Sequence, residues 1–224
     1  MKNSIYLLLA ATLILSSCGP TNKVLKSSAY SGMYKEKPLS LLIMPPINRS
    51  TNVEAKEFFH TTLNVPIANA GYYVIPPFLS MEILKRESAY DSEMFIDRPL
   101  NVFAEIFGAD MALFTIITKW DKSSLASKVI VEVEYIIKST TSGEVLYNRK
   151  GTVTYNTSVS AGNSALINIL ASVANTAATK YVDVARAANI YTFSDLPAGI
   201  YGPQYGLDGG NTAGFKEFKV KLPR

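Results

Sequence analysis

The stretch LSLLIMPP, at residues 39–46, is the clearest indication of a sheet in this sequence. It is almost continuously apolar, and two prolines end it. A short apolar run with such flanks is typical of a strand covered on both faces, because side chains on both of its sides must then be buried. The stretch therefore predicts a sheet with helices packed against it, and we expect the globular part of the chain to begin at residue 39.

A helix is predicted directly after this strand, over residues 53–70. Thr51-Asn-Val-Glu54 resembles a capping box, in which a side-chain oxygen caps the first amides and Glu54 reaches back. Pro66 removes one amide donor, so we expect a kink or break there. The core-facing side chains of this helix are expected to be Phe58, Phe59, Leu63 and Ile67. YYVIPP, at 72–77, then repeats the pattern of a β-rich run that two prolines end.

The remaining elements complete one mixed sheet. In the strand predicted at 127–138, apolar and mostly polar residues alternate, which is typical of a strand with one buried face and one solvent-exposed face. Two β-α-β steps, a three-stranded meander and a last amphipathic helix predict an α/β domain, with a mixed sheet of about five strands and helices packed on it. The elements after residue 77 are expected as helices at 78–87, 100–107 and 164–189 and as strands at 109–120, 127–138 and 143–156.

The amino-terminal residues indicate export and a lipid anchor. Lys2 precedes an apolar core at residues 5–15, and this layout is typical of a signal peptide too short to span a bilayer. Leu-Ser-Ser-Cys resembles the bacterial lipobox, so we expect lipidation at Cys18 and membrane attachment through that lipid. Gly19 stands where an inner-membrane retention signal would place Asp, which favours the outer membrane, facing the periplasm, over the inner membrane or the cell surface.

Composition excludes several classes of protein. Cys18 is the single cysteine of 224 residues, so the exported chain has no disulfide framework and depends on a core. The formal net charge of +4 is a mild excess without a long basic stretch, which gives no indication of nucleic-acid binding.

Four segments follow from these patterns. We expect a signal peptide at 1–17, the lipidated cysteine with a flexible tether at 18–38, an α/β domain at 39–190 and a Gly/Tyr-rich tail at 191–224. Tyr30, Met33 and Tyr34 could nonetheless pack on the domain or on a partner.

Several motifs together resemble a known family. LLIMPPINRSTNVEA, AGYYVIPP, FGADMALF, TSGEVLY and IYGPQY are similar, in their order and spacing, to a GNA-type family of bacterial lipoproteins of unknown function. Its members resemble the TolB amino-terminal domain and the CsgG-like secretion lipoproteins. Over residues 39–205, the resemblance implies a periplasmic TolB-like α/β domain and a shared envelope complex with a CsgG-like lipoprotein. It implies no catalytic residues.

The residues offer little for catalysis or metal binding. His60 is the only histidine, and we expect it at the surface or boundary of its helix rather than in a catalytic site. One histidine and a lipidated cysteine make a poor zinc site. Asp110 is expected to hydrogen-bond the backbone of a turn. The acidic residues Glu87, Asp91, Glu93 and Asp97 lack the spacing of an EF-hand and are expected in a solvated loop.

The tail carries the candidate partner contacts. Tyr201, Tyr205, Phe215 and Phe218 are aromatic residues on a segment rich in turn formers, where they could act as contact anchors. FKEFKVKL could add an edge strand to this sheet or to a neighbour's, or the tail could fold back over its own domain.

The sequence is compatible with three functions, and we expect no cofactor in any of them. The first is a non-enzymatic accessory or assembly subunit that binds an envelope protein, such as a CsgG-like lipoprotein. The second is a regulator that reaches across the periplasm to a peptidoglycan-synthesis enzyme. The third is a hydrolase acting through the carboxylates named above.

Overall fold

The computed structural model describes residues 23–123, 128–156 and 180–223. The predicted signal peptide and Cys18 lie outside this range, as does the first part of the predicted 164–189 helix. The strands are β1 (Ser40–Ile43), β2 (Ile47–Asn48), β3 (Tyr73–Val74), β4 (Met111–Ser123), β5 (Lys128–Ser139), β6 (Val145–Asn156) and β7 (Glu217–Pro223). The helices are α1 (Lys26–Ala29), α2 (Ser31–Glu36), α3 (Ala55–Asn69), α4 (Pro77–Arg86), α5 (Asn101–Phe107) and α6 (Lys180–Phe193).

The strands form one seven-stranded mixed sheet, ordered β3-β1-β4-β5-β6-β7, with β2 paired to β4 beyond the end of β1. β1 is parallel to both β3 and β4, and β4, β5 and β6 form an antiparallel meander. β7 is parallel to β6. The predicted α/β class is confirmed. The sheet has two strands more than the five expected, because β2 is too short for a sequence pattern and β7 comes from the predicted tail.

β1 is buried on both faces, as its sequence predicts. Leu41 and Ile43 belong to the larger core, which lies against α3 and α6, while Leu42 and Met44 belong to a second core with α4 and α5. Helices therefore cover the centre of the sheet on both sides, which is why the run from residue 39 is apolar without alternation.

α3 agrees with its predicted position but not with its predicted ends. The backbone N–H of Glu54 donates to Asn52 Oδ1 at 2.9 Å, and no side chain caps the helix, so the predicted capping box is wrong. Asn52 stabilises an Asx turn before the helix instead. The helix continues through Pro66 to Asn69, so no break occurs at the proline. Of the expected core residues, Phe59, Leu63 and Ile67 are buried and Phe58 is partly buried.

Both ends of the described chain are folded onto the domain, which corrects the predicted boundaries. In the expected tether, α1 and α2 are held on the sheet by two buried side chains, that of Tyr30, which lies between the two helices, and that of Met33 in α2. In the expected tail, α6 continues to Phe193 and β7 joins the sheet. α1 and α2 contain too few residues for an amphipathic period to be visible in the sequence.

The described helices do not have the properties of membrane-spanning helices. Within residues 23–123, 128–156 and 180–223, no helix combines the length and the apolarity that spanning a bilayer needs.

Candidate functional site

An exposed apolar depression lies where α3 and β3 end. We call it the aromatic groove, and its main lining residues are Val65, Tyr72, Tyr73, Pro76, Pro77 and Tyr201. It encloses a volume of about 670 Å³. Val65, Tyr73 and Tyr201 are exposed, whereas Tyr72 is buried. The side chains are thus mostly apolar or aromatic, although they face solvent.

Glycines position Tyr201 at this groove. Gly71, with φ +95°, turns the chain after α3, and a Cβ at Gly199 would stand only 2.3 Å from the Gly71 carbonyl oxygen. The two segments therefore touch directly: Gly199 N–H donates to Ala70 O at 2.8 Å, and Tyr201 N–H donates to Gly71 O at 3.0 Å. These bonds hold the Tyr201 backbone against the end of α3, because only glycine permits so close an approach.

A second cavity, the α3–α6 cleft, also lies at the end of α3. It has a volume of about 700 Å³ and is lined by residues of α3, α6 and the segment 194–211, and by Lys26. Val65 and Asn69 line both cavities, so the cleft and the aromatic groove adjoin.

Buried carboxylates join the amino-terminal helices to the carboxy-terminal segment. The Tyr30 hydroxyl donates to Asp195, whose Oδ2 lies 4.0 Å from Nε of the buried Arg149. Burial, and then the hydrogen bond to Asp195, raise the pKa of Tyr30 far above its usual range, so that it stays a donor. Arg149 also donates to Thr192 O at 2.8 Å. This group, named the buried clasp, is satisfied by its own partners and therefore has a structural role.

A second acidic residue continues the clasp. Asp208 Oδ1 accepts from the Tyr34 hydroxyl at 3.0 Å, and Oδ2 accepts from Ala198 N–H at 2.9 Å. Lys26 Nζ lies 3.6 Å from the same carboxylate. The two short helices are thus fixed to the segment that also lines the cleft.

The predicted partner contacts separate into two groups. Tyr201 and Phe215 are exposed, at 71% and 81%, and Tyr205 is also exposed. Phe218 is only 8% exposed, so its prediction as an exposed anchor is wrong. Its ring packs 5.1 Å from that of Tyr191 and lies under the Arg149 guanidinium at 4.6 Å. Phe218 is a core residue because β7 completes this sheet.

The residues considered for chemistry are dispersed. His60 is buried, which corrects the expected surface or boundary position, and its Nε2 has no hydrogen-bond partner within the described residues. Burial lowers its pKa. Asp110 Oδ2 accepts from the backbone N–H groups of Leu39 and Ser40 at 2.8 and 3.0 Å, as a structural residue would.

Two of the acidic residues at 87–97 have local partners. Glu93 pairs with Arg49, and the Asp91 side chain accepts from the Glu93 backbone. In the parts of the chain that the structure describes, no group of three or more His, Cys, Asp or Glu residues could hold a metal ion.

The fold and these surfaces define a mixed α/β domain of the kind that bacterial lipoproteins carry. The chain belongs to the family described as "Putative lipoprotein GNA1162-like", whose model matches residues 28–204. The resemblance inferred from the sequence motifs, to a lipoprotein family of unknown function, is thereby confirmed. Membership places the chain in the cell envelope, associated with a membrane.

Individual relatives agree with this assignment. "Putative lipoprotein NMB1124/NMB1162" of Neisseria meningitidis is 29% identical over 181 residues, which cover 78% of this chain and 81% of the relative. The crystal structure of lipoprotein GNA1162 from the same species is 25% identical with a TM-score of 0.50, covering 61% of this chain and 94% of that one. The PelC dodecamer of Paraburkholderia phytofirmans is 12% identical with a TM-score of 0.38, covering 67% and 88% of the respective chains, too distant for any inference.

Proposed function

We propose that this protein is a non-enzymatic accessory subunit of an envelope complex, anchored in the outer membrane by a lipid on Cys18 and facing the periplasm. Its proposed partner is another envelope protein, a CsgG-like secretion lipoprotein. The family membership supports the envelope location, and the features around Cys18 and Gly19 support the anchor and its membrane. The partner follows from the sequence resemblance described above.

The aromatic groove is the structural feature that best supports a binding role. Contiguous exposed apolar surface is costly in water and marks interaction sites on soluble domains. The groove presents Val65, Tyr73 and Tyr201 around a depression of about 670 Å³, which is a concave shape able to receive side chains of a partner. Tyrosine suits such a site because its ring buries a large apolar area while its hydroxyl stays hydrated.

Tyr201 is the proposed anchor of the interface. Its backbone is fixed by the hydrogen bond to Gly71, while its side chain is 71% exposed. An aromatic side chain on a held backbone loses little conformational freedom on binding, which is typical of residues that dominate interface energies. Tyr205, on the same segment, and Phe215 add exposed aromatic surface.

The test is a crosslinked pull-down of the full lipidated protein from detergent-solubilised membranes, with partners identified by mass spectrometry. We expect a CsgG-like lipoprotein or another envelope-assembly protein to be captured. Tyr201→Ser should weaken capture by at least tenfold, since truncating an anchor residue costs about 2 kcal/mol or more.

Val53→Ser is the matched control. Val53 is exposed and precedes α3, while the groove lies at the far end of that helix, about 20 Å away for its length. Its capture should equal that of the unmodified protein. Equal capture by Tyr201→Ser and Val53→Ser would contradict the proposed interface, and recovery of the protein alone would contradict the accessory role.

A further inference from the structure

The α3–α6 cleft is not needed for the proposed interface, yet it has the dimensions of a ligand site. Its volume of about 700 Å³ falls within the range of roughly 300–1,000 Å³ that is usual for small-molecule pockets. One wall is apolar and is drawn from α3, α6 and the segment after α6. This wall consists of Val65, Pro66, Ile190, Phe193, Leu196 and Pro203.

The polar groups of the cleft are suited to neutral partners. Asn69, Gln204 and Asn211 line it, and their side-chain amides make no hydrogen bond within the described residues. The charges, in contrast, are already balanced. Lys26 faces Asp208 at 3.6 Å, and Arg186 donates to Asp183 at 2.6 Å. An ion gains little from such a site, whereas ester and amide groups match the free amides.

The cleft is also close in sequence to the predicted point of lipid attachment. Lys26, one of its lining residues, follows Cys18 by eight residues. A chain of that length spans at most ~29 Å when fully extended. A group held by so short a connection has an effective concentration on the order of mM at the cleft.

We propose that the α3–α6 cleft binds one acyl chain of the lipid that Cys18 carries. The chain lies along the apolar wall, and the ester and amide carbonyls at its head accept hydrogen bonds from Asn69, Gln204 and Asn211. This inference rests on the lipid anchor of the proposed function. Because Val65 and Asn69 also line the aromatic groove, an occupied cleft changes the edge of the surface offered to a partner.

The experiment uses the full lipidated protein. Cells are fed a fatty acid that carries a diazirine, the protein is purified, detergent is exchanged for an amphipathic polymer, and the sample is irradiated. Intact mass first reports whether Cys18 is lipidated. Peptide mapping then locates the crosslinks, which we expect on the apolar wall, at Val65, Ile190 and Pro203.

Matched variants separate the cleft from the rest of the surface. Val65 and Val145 are both 56% exposed, but only Val65 lines the cleft. Val65→Arg should lower crosslinking to the wall at least tenfold, because it places a charge on the apolar wall, and Val145→Arg should leave it unchanged. Ile190→Arg, which lines the cleft but not the aromatic groove, should repeat the effect of Val65→Arg.

The possible failures are distinguishable. An unmodified Cys18 would overturn both the anchor and this inference. A lipidated Cys18 whose crosslinks lie outside the cleft, or are equal in Val65→Arg and Val145→Arg, would overturn this inference alone. Capture of the partner is a separate measurement, made with Tyr201→Ser and Val53→Ser, and neither of these residues lines the cleft.

Discussion

Asp110 and His60 illustrate what single residues reveal in a sequence and what they do not. Asp110 follows a glycine at the start of a strand, and this position predicts a carboxylate that hydrogen-bonds the backbone of its own turn. The carboxylate accepts instead from the backbone N–H groups of Leu39 and Ser40, at the start of β1. His60 follows Phe59 on α3, and the helical period places it beside the core face. Its burial depends on which elements pack over α3, which the local pattern does not contain.

The buried histidine should make stability depend on pH. Burial lowers the pKa of His60 below its usual value of 6.5, so the unfolded chain binds a proton more readily than the folded one. The contribution of His60 to the free energy of unfolding is therefore fully present above pH 6.5. It decreases as the pH falls below 6.5 toward the pKa that His60 has in the folded protein. Urea unfolding from about pH 8 to about pH 5 should show this decrease.

His60→Gln removes the titrating group and serves as the comparison. The glutamine side chain is neutral throughout this range, so the variant should lose the part of the slope that begins below 6.5. The same slope in both proteins would assign the pH dependence to other groups.

At the scale of elements, a sequence pattern predicts whether a segment is a helix or a strand better than it predicts which element the segment pairs with. The sequence predicts a strand in FKEFKVKL but leaves its partner open, because β7 pairs with residues of β6 that are far away in the chain. The decisive contact is Phe218 over Gly151, which are opposite each other in the β6–β7 register. A glycine within a β-rich segment gives no indication by itself of which ring it will accommodate.

Replacing that glycine should loosen β7. A Cβ at position 151 would stand 2.2 Å from the Phe218 ring, so Gly151→Ala forces the ring out of its site, with an expected loss of about 1–3 kcal/mol. Hydrogen exchange of the β7 amides should accelerate more than that of β4 and β5. Gly210→Ala, where a Cβ meets nothing within 4 Å, should leave both stability and exchange unchanged. Unaltered protection of β7 in Gly151→Ala would show that the ring relocates without cost.

At the scale of the whole molecule, the α/β class and its central sheet follow from the sequence, whereas the limits of the domain do not. Periodicity needs several turns or strand residues to be recognised, and α1 and α2 offer only 4 and 6 residues. Their attachment depends on the buried clasp, whose members come from both ends of the described chain. Tyr30 and Asp195 are 165 residues apart, so no local signal links them.

Breaking the clasp should affect the entire domain. Asp195→Ala leaves the buried Arg149 without its carboxylate and Tyr30 without its acceptor, and breaking such a buried pair costs about 3–5 kcal/mol. The midpoint of denaturant unfolding should shift accordingly. Glu82→Ala, which removes the exposed pair with Lys85, should cost no more than about 1 kcal/mol. An equal loss in the two variants would contradict the role assigned to the clasp.

The clasp also sets the order in which the domain can be completed during export. A chain that crosses the membrane amino terminus first delivers α1 and α2 long before their acceptors arrive. The Tyr34 hydroxyl lacks its acceptor until Asp208, 174 residues later, is present, and β6 lacks its parallel neighbour until β7 is present. Closing such distant contacts is entropically costly and slow. Both ends of the domain are therefore secured late, and a chain released before residue 195 would lack the acceptor of Tyr30, the acceptor of Tyr34 and β7.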